Sequence, residues 1–254
     1  MLAAGVIWSG FIKDMLCLPR PLSPPLQRIS HSGSAALEYG FPSTHSTNAI
    51  SVVIYSVWAL QTTSETRDPY THLISQGLLY AYAISIVFGR LYCGMHGFLD
   101  VIIGSILGAI IAVIQIVYGH RFDMWVSQGG YEAPLIVTLA ILILVRVHPE
   151  PADDCPCFDD SVSFAGVVIG AEVGMWHYTR TQYSSSVPVP GTVPFNLQEI
   201  GWPRAVGRVL FGVAMIFAWR GITKPTLLKV LPPIFRLIER IRLNMPRRFF
   251  LQAS

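Results

Sequence analysis

Charge is scarce in this chain. Only 13% of its 254 residues are Asp, Glu, Lys or Arg, about half the roughly 25% that soluble domains carry. With 52% hydrophobic residues the chain is too apolar to be disordered. Net charge is +3 and the basic residues are scattered, which argues against a nucleic-acid surface. Four cysteines are too few for a disulfide scaffold. Internal repeats and a separate soluble domain are lacking as well. A bilayer is the natural solvent for such a chain.

Long apolar stretches are what the sequence does have. A helix that crosses the hydrocarbon needs about 20 mostly apolar residues. Phe98–Tyr118 carries one charge, Asp100, near its start, and Leu73–Gly89 and Ser46–Gln61 carry none. Pro134–Val147, Ser161–Trp176 and Arg204–Ile222 are weaker candidates. Met1–Ile12 is apolar but too short to cross, and reads as the remainder of a longer helix. The expected fold is an all-α, polytopic transmembrane helix bundle over residues 1–222. Residues 223–254 read as a basic, partly amphipathic tail broken by Pro232, Pro233 and Pro246.

Counting spans assigns the connections to faces. The proline-rich first loop, the Arg90–Gly97 junction and His148–Asp160 fall on one face, and Cys17, Cys93, Cys155 and Cys157 fall there with them. The excess of Lys and Arg that marks cytoplasmic loops does not choose the side, because Lys13 and Arg20 lie on one face and Arg121 and Arg180 on the other. Cys155 and Cys157 stand too close in sequence for an easy mutual disulfide. The acidic, proline-rich segment around them lacks calcium-loop spacing and reads as a solvated loop.

Most ionisable side chains near that first face gather in three short clusters: Lys13 with Arg20-Pro21, then Pro42-Ser43-Thr44-His45, then Arg90, His96 and Asp100. Singly, a surface histidine is an interfacial polar residue, a Lys or Arg is a snorkelling anchor, and Asp100 caps the helix it begins. Together they suggest an anion site with an acid–base pair. At a helix start, His96 and Asp100 share one face a turn apart, so the carboxylate can take the proton of one imidazole nitrogen and leave the other as a nucleophile. Lys13, Arg20 and Arg90 supply charge for phosphoryl oxygens. Ser43 and Thr44 stand where a helix N-terminus favours an anion, and His45 beside them can protonate a leaving alkoxide.

The patterns K-x6-R-P, P-S-x-H and R-x5-H-x3-D, in this order, resemble the three signatures of the type 2 phosphatidic acid phosphatase superfamily. PSTH and GRLYCGMHGFLD are similar to its sphingosine-1-phosphate phosphatase branch. CPCFDDSVSFAGVVIG and GWPRAVGRVLFG are similar to the fungal long-chain-base phosphatases of that branch. Thr44 replaces the superfamily's usual Gly, and Gly89 the Ser that often precedes the Arg. Both departures suit the sphingolipid branch.

The resemblance implies hydrolysis of sphingoid-base 1-phosphates in the endoplasmic reticulum membrane, with membrane lipids around the protein and a lumenal active face. His96 becomes the nucleophile of a phosphohistidine, Asp100 orients it, and His45 is the acid. Lys13, Arg20, Ser43, Thr44 and Arg90 hold the phosphate. It also implies that no metal and no other cofactor takes part, and no metal-ligand cluster accompanies the motifs. A broad phosphatidate or polyprenyl diphosphate phosphatase remains an alternative on the same site, as does a non-catalytic lipid-binding or transport protein on the same scaffold.

Overall fold

Apolar stretches punctuated by Gly, Pro and Asp fold into helices throughout. The structure, a computed structural model, describes residues 1–23, 25–29, 37–62, 68–153, 155–181 and 197–240. The chain divides into two units, Met1–Pro188 and Val189–Ser254. The first holds α1 (Leu2–Leu16), α2 (Thr44–Thr62), α3 (Pro69–Tyr92), α4 (Phe98–Gln128), α5 (Glu132–Val147) and α6 (Cys157–Tyr178). The second holds α7 (Leu197–Ile200) and α8 (Trp202–Arg240). No strand occurs among the described residues. Each expected span lies on one of these helices, and α3, α4 and α8 are long and apolar enough to cross a membrane. The architecture is that of an all-α, multi-pass membrane protein.

The helix starts follow from local chemistry. Asp68 caps α3 by accepting the N–H groups of Tyr70 and Thr71 at 3.1 and 3.2 Å, and Pro69 sets the first turn without wasting a donor. Ser43 precedes α2, and its Oγ accepts the Ser46 N–H at 3.4 Å. Asp100 reaches back to the Gly97 N–H at 2.7 Å and so closes the start of α4.

Helix α4 is apolar on all sides, as a helix in lipid is. Ile102, Ile106, Ile110 and Val113 form its exposed stripe, whereas Val101, Gly104, Gly108, Ile111 and Ala112 are buried. Lipid tails are as apolar as leucine, so packing between membrane helices depends on close backbone approach. A methyl at Gly104 would come within 2.6 Å of the Ser43 carbonyl oxygen, and one at Gly108 within 3.0 Å of the Thr47 carbonyl carbon. These glycines let α2 lie directly on α4, with Ser43, Ser46, Thr47 and Ser51 filling the contact.

Helix α1 packs on α6 around a buried polar group. The Nδ1 of His148 lies 3.6 Å from Asp14 Oδ2, and its Nε2 lies 3.2 Å from the Ser161 hydroxyl. Phe11 and Phe158 each meet the His148 ring edge to face. At the same end of the bundle the Tyr39 hydroxyl accepts the Asp153 N–H at 3.0 Å, and the Ile29 N–H donates to the Cys93 carbonyl at 3.1 Å. The first loop, the α3–α4 junction and the segment before α6 therefore meet. At the other end Trp176 Nε1 donates to the Gly129 and Gly130 carbonyls, and the Arg180 guanidinium lies 4.1 Å above the Trp176 ring.

Three expectations are corrected. Cys155 is bonded to Cys157. The segment from His148 to Cys157 is not simply solvated, since His148, Cys155 and Cys157 are buried and α6 already begins at Cys157. Pro232 and Pro233 do not break the chain's helix, because α8 runs through them and through Pro225 to Arg240. A proline stops a helix most readily in water, which competes for the carbonyls it frees. Apolar surroundings remove that competitor and favour the remaining intrahelical bonds. Pro246 lies outside the described residues.

Gly108→Val should cost about 1–3 kcal/mol through overpacking and lower the thermal midpoint in detergent. Gly166→Val, where an added Cβ meets nothing within 4 Å, serves as the control. Equal midpoints for the two variants would show that the α2–α4 contact is not a close one.

Candidate active site

The site is assembled where three chain segments cross. Cys17 ends α1 in the left-handed conformation, at φ 51°, and turns the chain so that Arg20 points back into the bundle. Leu18 then accepts the Gly40 N–H at 2.8 Å. Gly40 fits because an added Cβ would lie 3.0 Å from the Pro19 carbonyl oxygen and from Arg20 Cα. The Gly40 carbonyl oxygen in turn lies 2.8 Å from Nδ1 of His96, which is only 4% exposed.

That bond sets the tautomer. A carbonyl oxygen can only accept, so Nδ1 carries the proton and Nε2 the lone pair. Nη1 of Arg20 lies 3.2 Å from Nε2 and also donates to the Met95 carbonyl at 3.0 Å. Asp100, expected to take the imidazole proton, lies 3.7 Å from Nδ1 and spends its Oδ2 on the Gly97 N–H. At that distance it acts on the ring through charge rather than through a hydrogen bond. The i,i+4 reasoning presumed a helix at both positions, whereas α4 begins at Phe98, two residues after His96.

Glu38 is the residue that motif reasoning missed. Its carboxylate is 3.7 Å from Lys13 Nζ and pairs directly with Arg20, whose Nε also donates to the Glu38 carbonyl at 3.1 Å. A faint signal was present, because Glu38 is the sole carboxylate between Asp14 and Glu65. Lys13 and Arg20 are each only 5% exposed, so a nearby anion is a physical necessity.

The remaining candidates surround this core. Arg90, in the last turn of α3, has a buried Nε with no hydrogen-bond partner among the described residues. Ser43 is fully buried, caps α2, and donates its N–H to the Asp100 carbonyl at 3.0 Å. Thr44 Oγ1 lies 2.8 Å from Ser9 Oγ. His45 lines a cavity of about 290 Å³ together with Lys13, Glu38, Thr44 and Asp160. Both histidines are held neutral. Burial first, then Arg20, Arg90 and Lys13, push His96 down to about 2. Loss of water around the ring first, then Arg90 and Lys13, push His45 down to about 4. Outside this site Asp14, Cys155 and Cys157 bring metal-type ligand atoms within 4.8 Å of one another, with the two sulfurs bonded to each other.

The all-α membrane bundle thus places a buried imidazole close to three cations. Residues 1–123 match the model of the PAP2 superfamily. The chain is 41% identical over 239 residues to a dihydrosphingosine 1-phosphate phosphatase of Schizosaccharomyces pombe, covering 94% of this chain and 56% of that protein. It is 36% identical over 226 residues to one of Saccharomyces cerevisiae, covering 89% and 54%. Human sphingosine-1-phosphate phosphatase 2 is 26% identical over 255 residues, covering 95% and 61%. The chain thus spans little more than half the length of the curated relatives it matches. No solved structure matches it.

The lowered values carry a sign. Between about pH 4 and the ordinary histidine range near 6.5, the folded protein keeps His45 neutral while the unfolded chain protonates it. Stability therefore falls as pH drops through that window. Histidine 15N spectra in micelles should show the His45 and His96 rings neutral from pH 8 to pH 5, assigned by His45→Ala and His96→Ala. A His45 midpoint near 6.5 would contradict the electrostatic reading.

Proposed function

We propose that this protein is a membrane phosphatase that hydrolyses the phosphate monoester of sphingoid long-chain bases through a phosphohistidine. The observation that carries the proposal is the buried His96, whose Nε2 holds a lone pair beside Arg20 while Gly40 retains the proton on Nδ1. The names of the relatives supply the substrate class, because dihydrosphingosine and sphingosine phosphates recur among them.

The chemistry follows from that geometry. Lys13, Arg20 and Arg90 take the non-bridging oxygens, and a phosphoryl oxygen replaces His96 as the partner of Arg20. The Nε2 lone pair attacks phosphorus, an N–P bond forms, and the bond from phosphorus to the C1 oxygen of the base breaks. His45 delivers a proton to that oxygen. The dianion offsets Arg90 and Lys13, two of the charges that hold His45 neutral, so the ring takes up its proton as substrate arrives. Once deprotonated, His45 accepts a proton from water as the water attacks phosphorus, and phosphate leaves with Nε2 restored. The cations provide the charge stabilisation that a divalent ion would otherwise supply. Asp100 stabilises the phosphoimidazolium through its charge. Ser43 acts indirectly by holding the start of α2 against the Asp100 carbonyl, and Thr44 borders the cavity. We place the protein in the endoplasmic reticulum membrane with this face lumenal, on its resemblance to the sphingolipid branch.

Purified protein should release phosphate from dihydrosphingosine 1-phosphate in the presence of EDTA. Activity lost in EDTA and restored by magnesium would refute the metal-free mechanism, and faster turnover of phosphatidate or a polyprenyl diphosphate would reassign the substrate. His96→Ala should abolish turnover and phosphoenzyme trapping. His45→Ala should slow turnover by roughly 10²–10⁴-fold, the range of general acid catalysis, while phosphoenzyme still forms. A phosphohistidine trapped in His96→Ala would sink the assignment, and binding without turnover in the unaltered protein would favour a transport role.

Orientation has its own test. A glycosylation acceptor inserted among residues 30–40 should be modified in microsomes, whereas one among residues 120–132 should not. The reverse pattern would place the active face in the cytoplasm.

A further inference from the structure

One feature of the cavity runs against simple phosphate binding. Asp160, in the first turn of α6, lines the same space as His45 and Lys13. Among the described residues no Lys, Arg or His nitrogen lies within 4.0 Å of its carboxylate, so no ion pair consumes its charge. Glu38 and Asp159 are near enough to repel it, and only Lys13 attracts it. Lys13 itself is paired with Glu38 at 3.7 Å. A carboxylate in this position weakens the hold on any ligand that is only an anion. It strengthens the hold on a ligand that carries a cation close to its phosphate.

Resting on the phosphatase reading above, we propose that Asp160 is the specificity-determining residue that accepts the 2-ammonium group of a sphingoid-base phosphate. The ammonium sits on the carbon next to the one that bears the phosphate oxygen. A single cavity of about 290 Å³ bordered by Lys13 and His45 as well as Asp160 suits that zwitterion. Asn48 borders the cavity as well, with a buried Oδ1 that has no hydrogen-bond partner among the described residues, and offers a second acceptor. Ile86 of α3 and Phe164 of α6, which also line the cavity, provide apolar contact for the first carbons of the chain. Phosphatidate has no ammonium to offset the carboxylate, and Asp160 disfavours it by repulsion. The mechanism of specificity is thus attraction and rejection by one charge.

The test compares dihydrosphingosine 1-phosphate with octadecyl phosphate, which keeps chain and phosphate but lacks the amine. In the unaltered protein kcat/KM should favour the amine-bearing substrate. Asp160→Asn should shrink the ratio of the two kcat/KM values roughly 10- to 100-fold, the range for losing a hydrogen bond to a charged group. Asp160→Glu should retain most of the preference. An unchanged ratio in Asp160→Asn would overturn the proposal, as would equal use of both substrates by the unaltered protein. If Asp160→Asn does not fold, the comparison in the unaltered protein and in Asp160→Glu still decides, because loss of preference in Asp160→Glu with preference in the unaltered protein would place the selectivity on geometry rather than charge. Failure of the unaltered protein to hydrolyse either substrate refutes the phosphatase reading instead, so the two failures are distinguishable.

Discussion

Everything at the candidate site depends on keeping three cations together, and Glu38 is the carboxylate that permits it. Two like charges about 4 Å apart repel by roughly 4 kcal/mol at an effective dielectric constant near 20. Lys13 and Arg20 are buried, and each would be expelled without an anion. Glu38 faces both, at 3.7 Å from Lys13 and in direct contact with Arg20. It leaves Arg90 uncompensated by any hydrogen bond at Nε. The result is a region whose positive charge, added to the larger effect of burial, holds two imidazoles neutral, yet one compensated enough to fold.

Mechanical connections hold the three clusters in register. Ser9 meets Thr44 and links α1 to the start of α2. Ser43 donates its N–H to the Asp100 carbonyl and links α2 to the start of α4. Gly40 bonds Leu18 on one side and His96 on the other. Small residues, Gly and Ser, stand at these crossings, and in the Ser43–Asp100 and Gly40–Leu18 contacts backbone meets backbone directly. Large apolar side chains are left for the outer faces of α3 and α4, where lipid covers them.

The same economy of charge bears on selectivity. In a chain with 15 acidic residues, a carboxylate beside the proposed phosphate site is conspicuous unless a second charge on the ligand calls for it. Glu38 answers to Lys13 and Arg20, whereas Asp160 answers to none of the described residues in an ion pair. That contrast between two neighbouring carboxylates separates a structural acid from one available to the ligand.

By itself the sequence determined the solvent and the all-α class, and it singled out the candidate site residues. Those follow from composition, run length and residue spacing, which act along the chain. It also placed each span on a helix, since apolar runs and their Gly, Pro and Asp boundaries are local signals, although α4 and α8 run well past the expected ends at Tyr118 and Ile222. Four matters were decided only by tertiary structure. They are the Gly40 carbonyl as partner of His96, the Glu38 pairing, the burial of His148 beside Asp14, and the passage of α8 through its prolines. Each depends on atoms far apart in sequence or on the absence of water. No local pattern shows that residue 40 lies against residue 96, because that contact exists only once α2, α4 and the first loop have packed.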